Sequence, residues 1–170
     1  MEKREKIRIF FVDDDPIYLK MLENNLRSSK VYSSKVFTFK SGEEAIKNLH
    51  LKPDVIVLDY YLNGTDPNAL DGIKSLEEIK HANPNIEVVM LSGQDRIEVA
   101  VNSIKSGAFD YVTKSESAFV RTQNAINNIV NAKKLKDEAK GQRIWIRVAA
   151  SVFMLAILVF LTLSFLYPMK

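Results

Sequence analysis

Four short apolar runs in this 170-residue chain each end on a side chain with chemistry to offer. Residues 7–12 run into Asp13, Asp14 and Asp15, residues 55–58 into Asp59, residues 88–91 into Ser92, and residues 111–113 into Lys114. A carboxylate cluster, a hydroxyl and an ammonium together suit the handling of phosphate. Neighbouring carboxylates can hold Mg²⁺, a hard cation that takes oxygen ligands and keeps several waters. Without a cation they repel, and at least one must titrate high. An Asp carboxylate can itself act as nucleophile and form an acyl phosphate. Lysine offers phosphate a point charge, and serine offers a hydroxyl donor.

These side chains can meet only if the elements carrying them converge. Short apolar runs bounded by polar residues and turns read as buried strands of a parallel sheet. Ligands gather outside the carboxyl ends of such strands. Strand and helix signals alternate along the chain, the pattern of an α/β domain. Asp15-Pro16 fits a helix start with Asp as N-cap and Pro at the first helical position. That helix is expected to turn Ile17, Met21, Leu22 and Leu26 inward and to stop near Ser28-Ser29. Residues 31–39 read as an edge strand. Ser41 and Glu44 form a capping box for a helix through Ala45, Ile46 and Leu49. Asp71-Gly72 opens a helix carrying Ile73, Leu76 and Ile79, which Asn83-Pro84 closes. A strand is expected at 86–91. Asp95 and Glu98 make a second capping box, with Ile97, Val101 and Ile104 at helical spacing and Gly107 as the stop. The last helix starts near Ser117 and aligns Phe119, Gln123, Ile126 and Val130. It extends toward Lys140, where Gly141 is expected to break it. His50 and His81 read as surface-helix residues.

The chain has no cysteine, which excludes a disulfide framework and a thiolate zinc site. Its net charge of +3 is unevenly split. Up to residue 130 there are 17 Lys and Arg against 19 Asp and Glu, and beyond it 7 against 2. A weakly acidic globule followed by a basic stretch is not a nucleic-acid-binding profile. The basic residues Lys133, Lys134, Lys136, Lys140, Arg143 and Arg147 instead precede twenty uncharged residues, 148–167, flanked by Trp145 and Tyr167. At about 1.5 Å per residue that run matches the roughly 30 Å hydrocarbon core of a bilayer. It is expected to be a single transmembrane helix, inserted as a tail anchor with the basic side in the cytoplasm. The expected organisation is a domain at 5–130, a basic helical linker at 131–147 and the span at 148–167.

Asp13-Asp14, Asp59, Ser92 and Lys114, each at a strand end in this order, resemble the receiver domain of bacterial two-component response regulators. The stretch Gly107-Ala108-Phe109-Asp110-Tyr111-Val112-Thr113-Lys114 adds to the likeness, which covers about residues 5–130. The resemblance implies a (βα)5 flavodoxin-like, doubly wound parallel sheet with strand order 2-1-3-4-5. It implies Asp59 as the residue phosphorylated from a histidine kinase or phosphotransfer protein. It implies Mg²⁺ held by Asp13, Asp14, Asp59 and the Tyr61 backbone carbonyl. Ser92 would bond the phosphoryl group, Lys114 would pair with one of its oxygens, and Tyr111 would be the aromatic switch residue. Two features depart from the family. Ser115 stands where Pro usually follows the lysine, often through a cis bond; a cis Lys-Ser bond would cost roughly 3–4 kcal/mol, and the sequence leaves the isomer open there. The loop at 62–70 is longer than usual and reads as an irregular surface insertion beside the metal site.

The expected function is that of a membrane-tethered receiver, not a turnover enzyme. It would signal through contacts with a downstream protein or through a homodimer formed by the 96–130 face. The alternative is a phosphate sink that accepts and hydrolyses phosphoryl groups.

Overall fold

The computed structural model describes residues 7–28, 34–62, 69–94 and 96–166, with side chains at most positions of the last helix up to Ile157. The elements in order are β1 (Ile7–Val12), α1 (Pro16–Ser28), β2 (Ser34–Phe39), α2 (Gly42–Lys47), a 3₁₀ turn (Leu49–Leu51) and β3 (Val55–Asp59). Then follow α3 (Gly72–Ala82), β4 (Glu87–Ser92), α4 (Ile97–Lys105), β5 (Asp110–Thr113) and α5 (Ala118–Leu166). The five strands form one parallel sheet in the order β2-β1-β3-β4-β5. This is the expected flavodoxin-like order.

Alternation along the strands gives the sheet two buried faces. Ile9, Phe11, Val55, Val57, Val89 and Leu91 pack against Leu19, Leu22 and Leu26 of α1 and Ala125, Ile126 and Ile129 of α5. Phe10, Val12, Ile56, Leu58, Val88 and Met90 face the other way, against Ala45 of α2 and Leu76 and Ile79 of α3. Helices on both faces bury the central strands, while the strand ends and the edge strand β2 stay open to solvent.

Local signals acted largely as expected. Asp15 Oδ1 accepts from the Ile17 amide at 2.8 Å, capping α1. Ser41 Oγ accepts from the Glu44 amide at 3.2 Å, and Asp71 Oδ1 from the Lys74 amide at 2.8 Å. Gly107 ends α4's turn at φ +99°, a left-handed conformation that glycine adopts without steric cost. Gly72 meets a different demand. A Cβ there would lie 2.4 Å from the Asp59 carbonyl oxygen and 2.6 Å from Tyr60 Cα. Only a bare backbone lets α3 begin so close to the end of β3.

Some expectations fail. Ile17 and Met21 are exposed, and Leu19 joins Leu22 and Leu26 in the core. At 100° per residue, Ile17 and Met21 lie nearly opposite Leu19, so only one of the two stripes can face the sheet. Ile97, Val101 and Ile104 form a stripe, but an exposed one. The residue α4 buries is Ser103, whose hydroxyl donates to the Val99 carbonyl at 2.8 Å. Arg96 stands at the N-cap of α4 without a side-chain cap, and Asp95 lies outside the described residues. So do residues 31–33 of the expected edge strand and 63–68 of the long loop.

The chain divides into two compact units, Met1–Val130 and Asn131–Lys170. Gly141 does not break α5, whose 49 residues stay helical to Leu166. A helical Gly costs only about 1 kcal/mol relative to Ala, and good helix formers flank this one. The expected membrane-crossing helix is not supported by the described residues, among which no helix is long and apolar enough to cross a membrane. The described side chains stop at Ile157, partway through the uncharged run, and Tyr167 lies outside them.

Candidate functional site

The parallel sheet brings Asp13, Asp59, Ser92 and Lys114 to one edge. Val12 pairs with Leu58, so Asp13 follows directly beside Asp59. Asp59 pairs with Leu91, and Ser92 with Thr113, which places Ser92 and Lys114 next along the same edge. The Lys114 amide donates to the Ser92 carbonyl at 2.7 Å and locks that step of the register.

The Lys114 ammonium sits between two buried carboxylates. Its Nζ lies 2.7 Å from Asp13 Oδ2 and 3.0 Å from Asp59 Oδ1. Asp13 is held in place by its other oxygen, which accepts from the Asp15 amide at 3.0 Å. Asp14 is exposed at the rim, yet carboxylate oxygens of Asp13, Asp14 and Asp59 all lie within 4.8 Å of one another. Burial, reinforced by the Asp13 charge, pushes the Asp59 carboxyl up to about 6 despite Lys114. Burial also raises Asp13. Burial alone would lower Lys114, but the two carboxylates hold it above its ordinary value. Burial thus drives the two carboxyl shifts, and the carboxylates drive the lysine's.

Behind the carboxylates lies a second pair of contacts. Ser92 is buried, and its Oγ accepts from the Gln94 amide at 3.1 Å. That bond leaves the hydroxyl proton available to donate. The Tyr111 hydroxyl donates to the Gln94 carbonyl at 2.5 Å, so one backbone residue links the hydroxyl and the aromatic ring. Tyr61 lies two residues past β3 with its side chain largely outward, edge-on to Tyr60 at 4.8 Å between centroids.

The profile of the response regulator receiver domain family matches residues 9–126. The chain belongs to that family. It is 34% identical to the nitrogen assimilation regulatory protein NtrX of Azorhizobium caulinodans over 125 residues, which are 71% of this chain and 26% of that protein. It is 36% identical over 110 residues to a putative NtrX-like response regulator of Rickettsia conorii, covering 64% of this chain and 22% of the relative. This receiver therefore spans about a quarter of the length of those curated relatives. A crystal structure of NtrX from Brucella abortus superposes with a TM-score of 0.69 at 29% identity, over 82% of this chain and 30% of that one. A response regulator receiver domain protein from Clostridium thermocellum gives 0.65 at 29%, over 76% and 98%.

The receiver's acidic edge fits a divalent cation on its own chemistry. Asp13 Oδ2 and Asp59 Oδ1 are buried, and neither has a well-directed hydrogen-bond donor. Charge contact with Lys114 is all that compensates them. Three carboxylates against one ammonium leave negative charge over, and oxygen donors are what Mg²⁺ takes. The peptide bonds around Lys114 are trans, because the described chain contains no cis bond.

Sequence reasoning passed over one residue at this edge. Tyr18 lies in the first turn of α1, and its ring centroid is 4.6 Å from Lys114 Nζ. A signal was available. Asp15 caps α1 beside the carboxylates, so an aromatic three residues later must lie over the same strand ends.

Proposed function

We propose that this receiver is a phosphoacceptor in two-component signalling, with Asp59 as the residue that takes the phosphoryl group from a histidine kinase or phosphotransfer protein. The observation that carries this reading is the placement of Lys114 Nζ against both Asp13 and Asp59, at 2.7 and 3.0 Å. Asp59 attacks phosphorus through a carboxylate oxygen. The phosphorus–nitrogen bond of phosphohistidine breaks, and its electron pair stays on the imidazole nitrogen. Lys114 offers its positive charge to a phosphoryl oxygen, and Ser92 donates its free proton to another. Asp13, Asp14, Asp59 and the Tyr61 carbonyl would hold Mg²⁺, which would neutralise charge on the phosphate oxygens.

The output is protein contact. The exposed stripe Ile97, Val101 and Ile104 supports a homodimer or partner surface on the 96–130 face. Tethering at the cytoplasmic membrane through residues 148–167, with the receiver in the cytoplasm, completes the reading. It is supported by the absence of charge over those twenty residues, by the basic residues ahead of them and by helical backbone through Leu166.

The test is intact-mass measurement of the full chain in mild detergent after incubation with acetyl phosphate and Mg²⁺. One phosphoryl group is expected, none in Asp59→Asn, and little when EDTA removes the metal. Equal labelling of the Asn variant overturns the assignment.

A further inference from the structure

Lys114 has a third neighbour besides its two carboxylates. The Tyr18 ring presents its face to Nζ at 4.6 Å from the centroid. Phe119, the second residue of α5, stacks on Tyr18 with centroids 5.5 Å apart and planes at 28°. The ammonium thus rests against one aromatic face and two carboxylate oxygens. An aromatic face is negative and attracts a cation, more strongly where water is excluded. Lys114 and Tyr18 are both partly buried, so this contact is at least partly desolvated.

The two kinds of neighbour respond differently to phosphorylation. Lys114's contact with Asp59 must rearrange once a carboxylate oxygen carries phosphorus. The contact with Tyr18 involves no atom that reacts. A lysine has a long flexible stem, and an ammonium is a point charge without directional preference. Asp13 does not react either, but its carboxylate would also serve the cation, so the Tyr18 face is the neighbour of Lys114 that neither the reaction nor the metal claims. We infer that Tyr18 is the positioning residue for Lys114, holding the ammonium by its ring face while Phe119 fixes the ring from α5. The role belongs to the ring, because the Tyr18 hydroxyl is buried without a hydrogen-bond partner. The inference rests on the phosphoacceptor reading for its consequence, but not for its geometry.

The experiment uses the full chain in detergent with Mg²⁺ and two readouts. The first is the ring-current shift of the Lys114 ε-methylene protons by NMR, which needs no phosphorylation. The second is the affinity for beryllium trifluoride, an acyl-phosphate mimic. Tyr18→Phe should keep the upfield shift and bind the mimic within about twofold of the unmodified chain. Tyr18→Leu should lose the shift and bind about three- to tenfold more weakly. In a Lys114→Met background, Tyr18→Leu should change mimic affinity no further, since the interaction is already gone. Three results overturn the inference: Tyr18→Phe behaving like Tyr18→Leu, Tyr18→Leu matching the unmodified chain, or an undiminished Tyr18→Leu effect in the Lys114→Met background. Retention of the shift in Tyr18→Phe and its loss in Tyr18→Leu, with no phosphorylation of the unmodified chain, would support the seat and remove Asp59 as acceptor.

Discussion

Ile126 and Ile146 lie twenty residues apart on the same helix, yet one is 1% exposed and the other 68%. The first packs under the sheet with Ala125 and Ile129. The second belongs to a stretch where Leu135, Trp145, Val152, Phe153, Met154 and Leu155 are also exposed. In the unit ending at Val130, α5 follows the rule of a surface helix, with one apolar stripe turned to a core. In the unit that follows, apolar residues come to surround the helix. A single helix thus carries two side-chain patterns. The difference shows that helix continuity says nothing about environment; the pattern of side chains does.

Localisation should give the largest contrast. The full chain should sediment with membranes and resist high-salt and carbonate washing, whereas a truncation after Lys140 should remain in the supernatant. Release of the full chain by salt alone would show that the basic residues, not the helix, hold it. Next comes stability. Ile126→Ala should destabilise the first unit by about 3 kcal/mol, through lost burial and the cavity left behind. Ile146→Ala in detergent should change the same unfolding transition by less than about 0.5 kcal/mol. Similar losses from both, measured by denaturant melts, would break the distinction between the units.

A smaller effect concerns charge, which the first unit buries beneath its strand ends. The folded Asp59 carboxyl titrates at about 6, above its ordinary 3.8. Between those values the folded state binds more protons than the unfolded state, so stability falls as pH rises. Without metal, the chain should lose on the order of 2 kcal/mol from pH 4 to pH 7 relative to Asp59→Asn. Saturating Mg²⁺ at pH 7 should restore stability to Asp59 chains and much less to the Asn variant. Parallel pH profiles for the two would mean that Asp59 is not strained by its surroundings. The smallest expected effect is kinetic. Tyr61 is bulky, partly exposed and two residues past Asp59, a place from which it should hinder a hydrolytic water. Tyr61→Asn should shorten the acyl-phosphate lifetime several-fold, read as loss of phosphorylated mass over time. An unchanged decay would assign the lifetime to the 62–70 loop or to Lys114.

Much of the receiver was legible in its residues because parallel sheets are regular. Apolar runs identify strands, strand ends lie on one edge, and the residues at those ends must therefore meet. Asp13, Asp59, Ser92 and Lys114 followed from that logic alone. Helix phase was harder to read. In α1, Ile17-Met21 and Leu19-Leu22-Leu26 are both plausible stripes, and only packing against Phe11 and its neighbours selects the second. In α4 the apolar stripe faces out and a serine faces in, which no hydrophobic pattern would suggest. Tyr18 escaped notice for a related reason. Its role depends on a lysine nearly a hundred residues away, and an aromatic ring in an amphipathic helix looks like ordinary core.

The missing side chain at Gly72 bears on how this molecule could be watched at work. With the backbone of α3 pressed against Asp59 and Tyr60, the first turn of that helix sits directly on the end of β3. A reporter dye placed on that turn should move with Asp59 and register little. The same dye on α4, which buries only a small serine, would have less packing to hold it and should give the brighter answer.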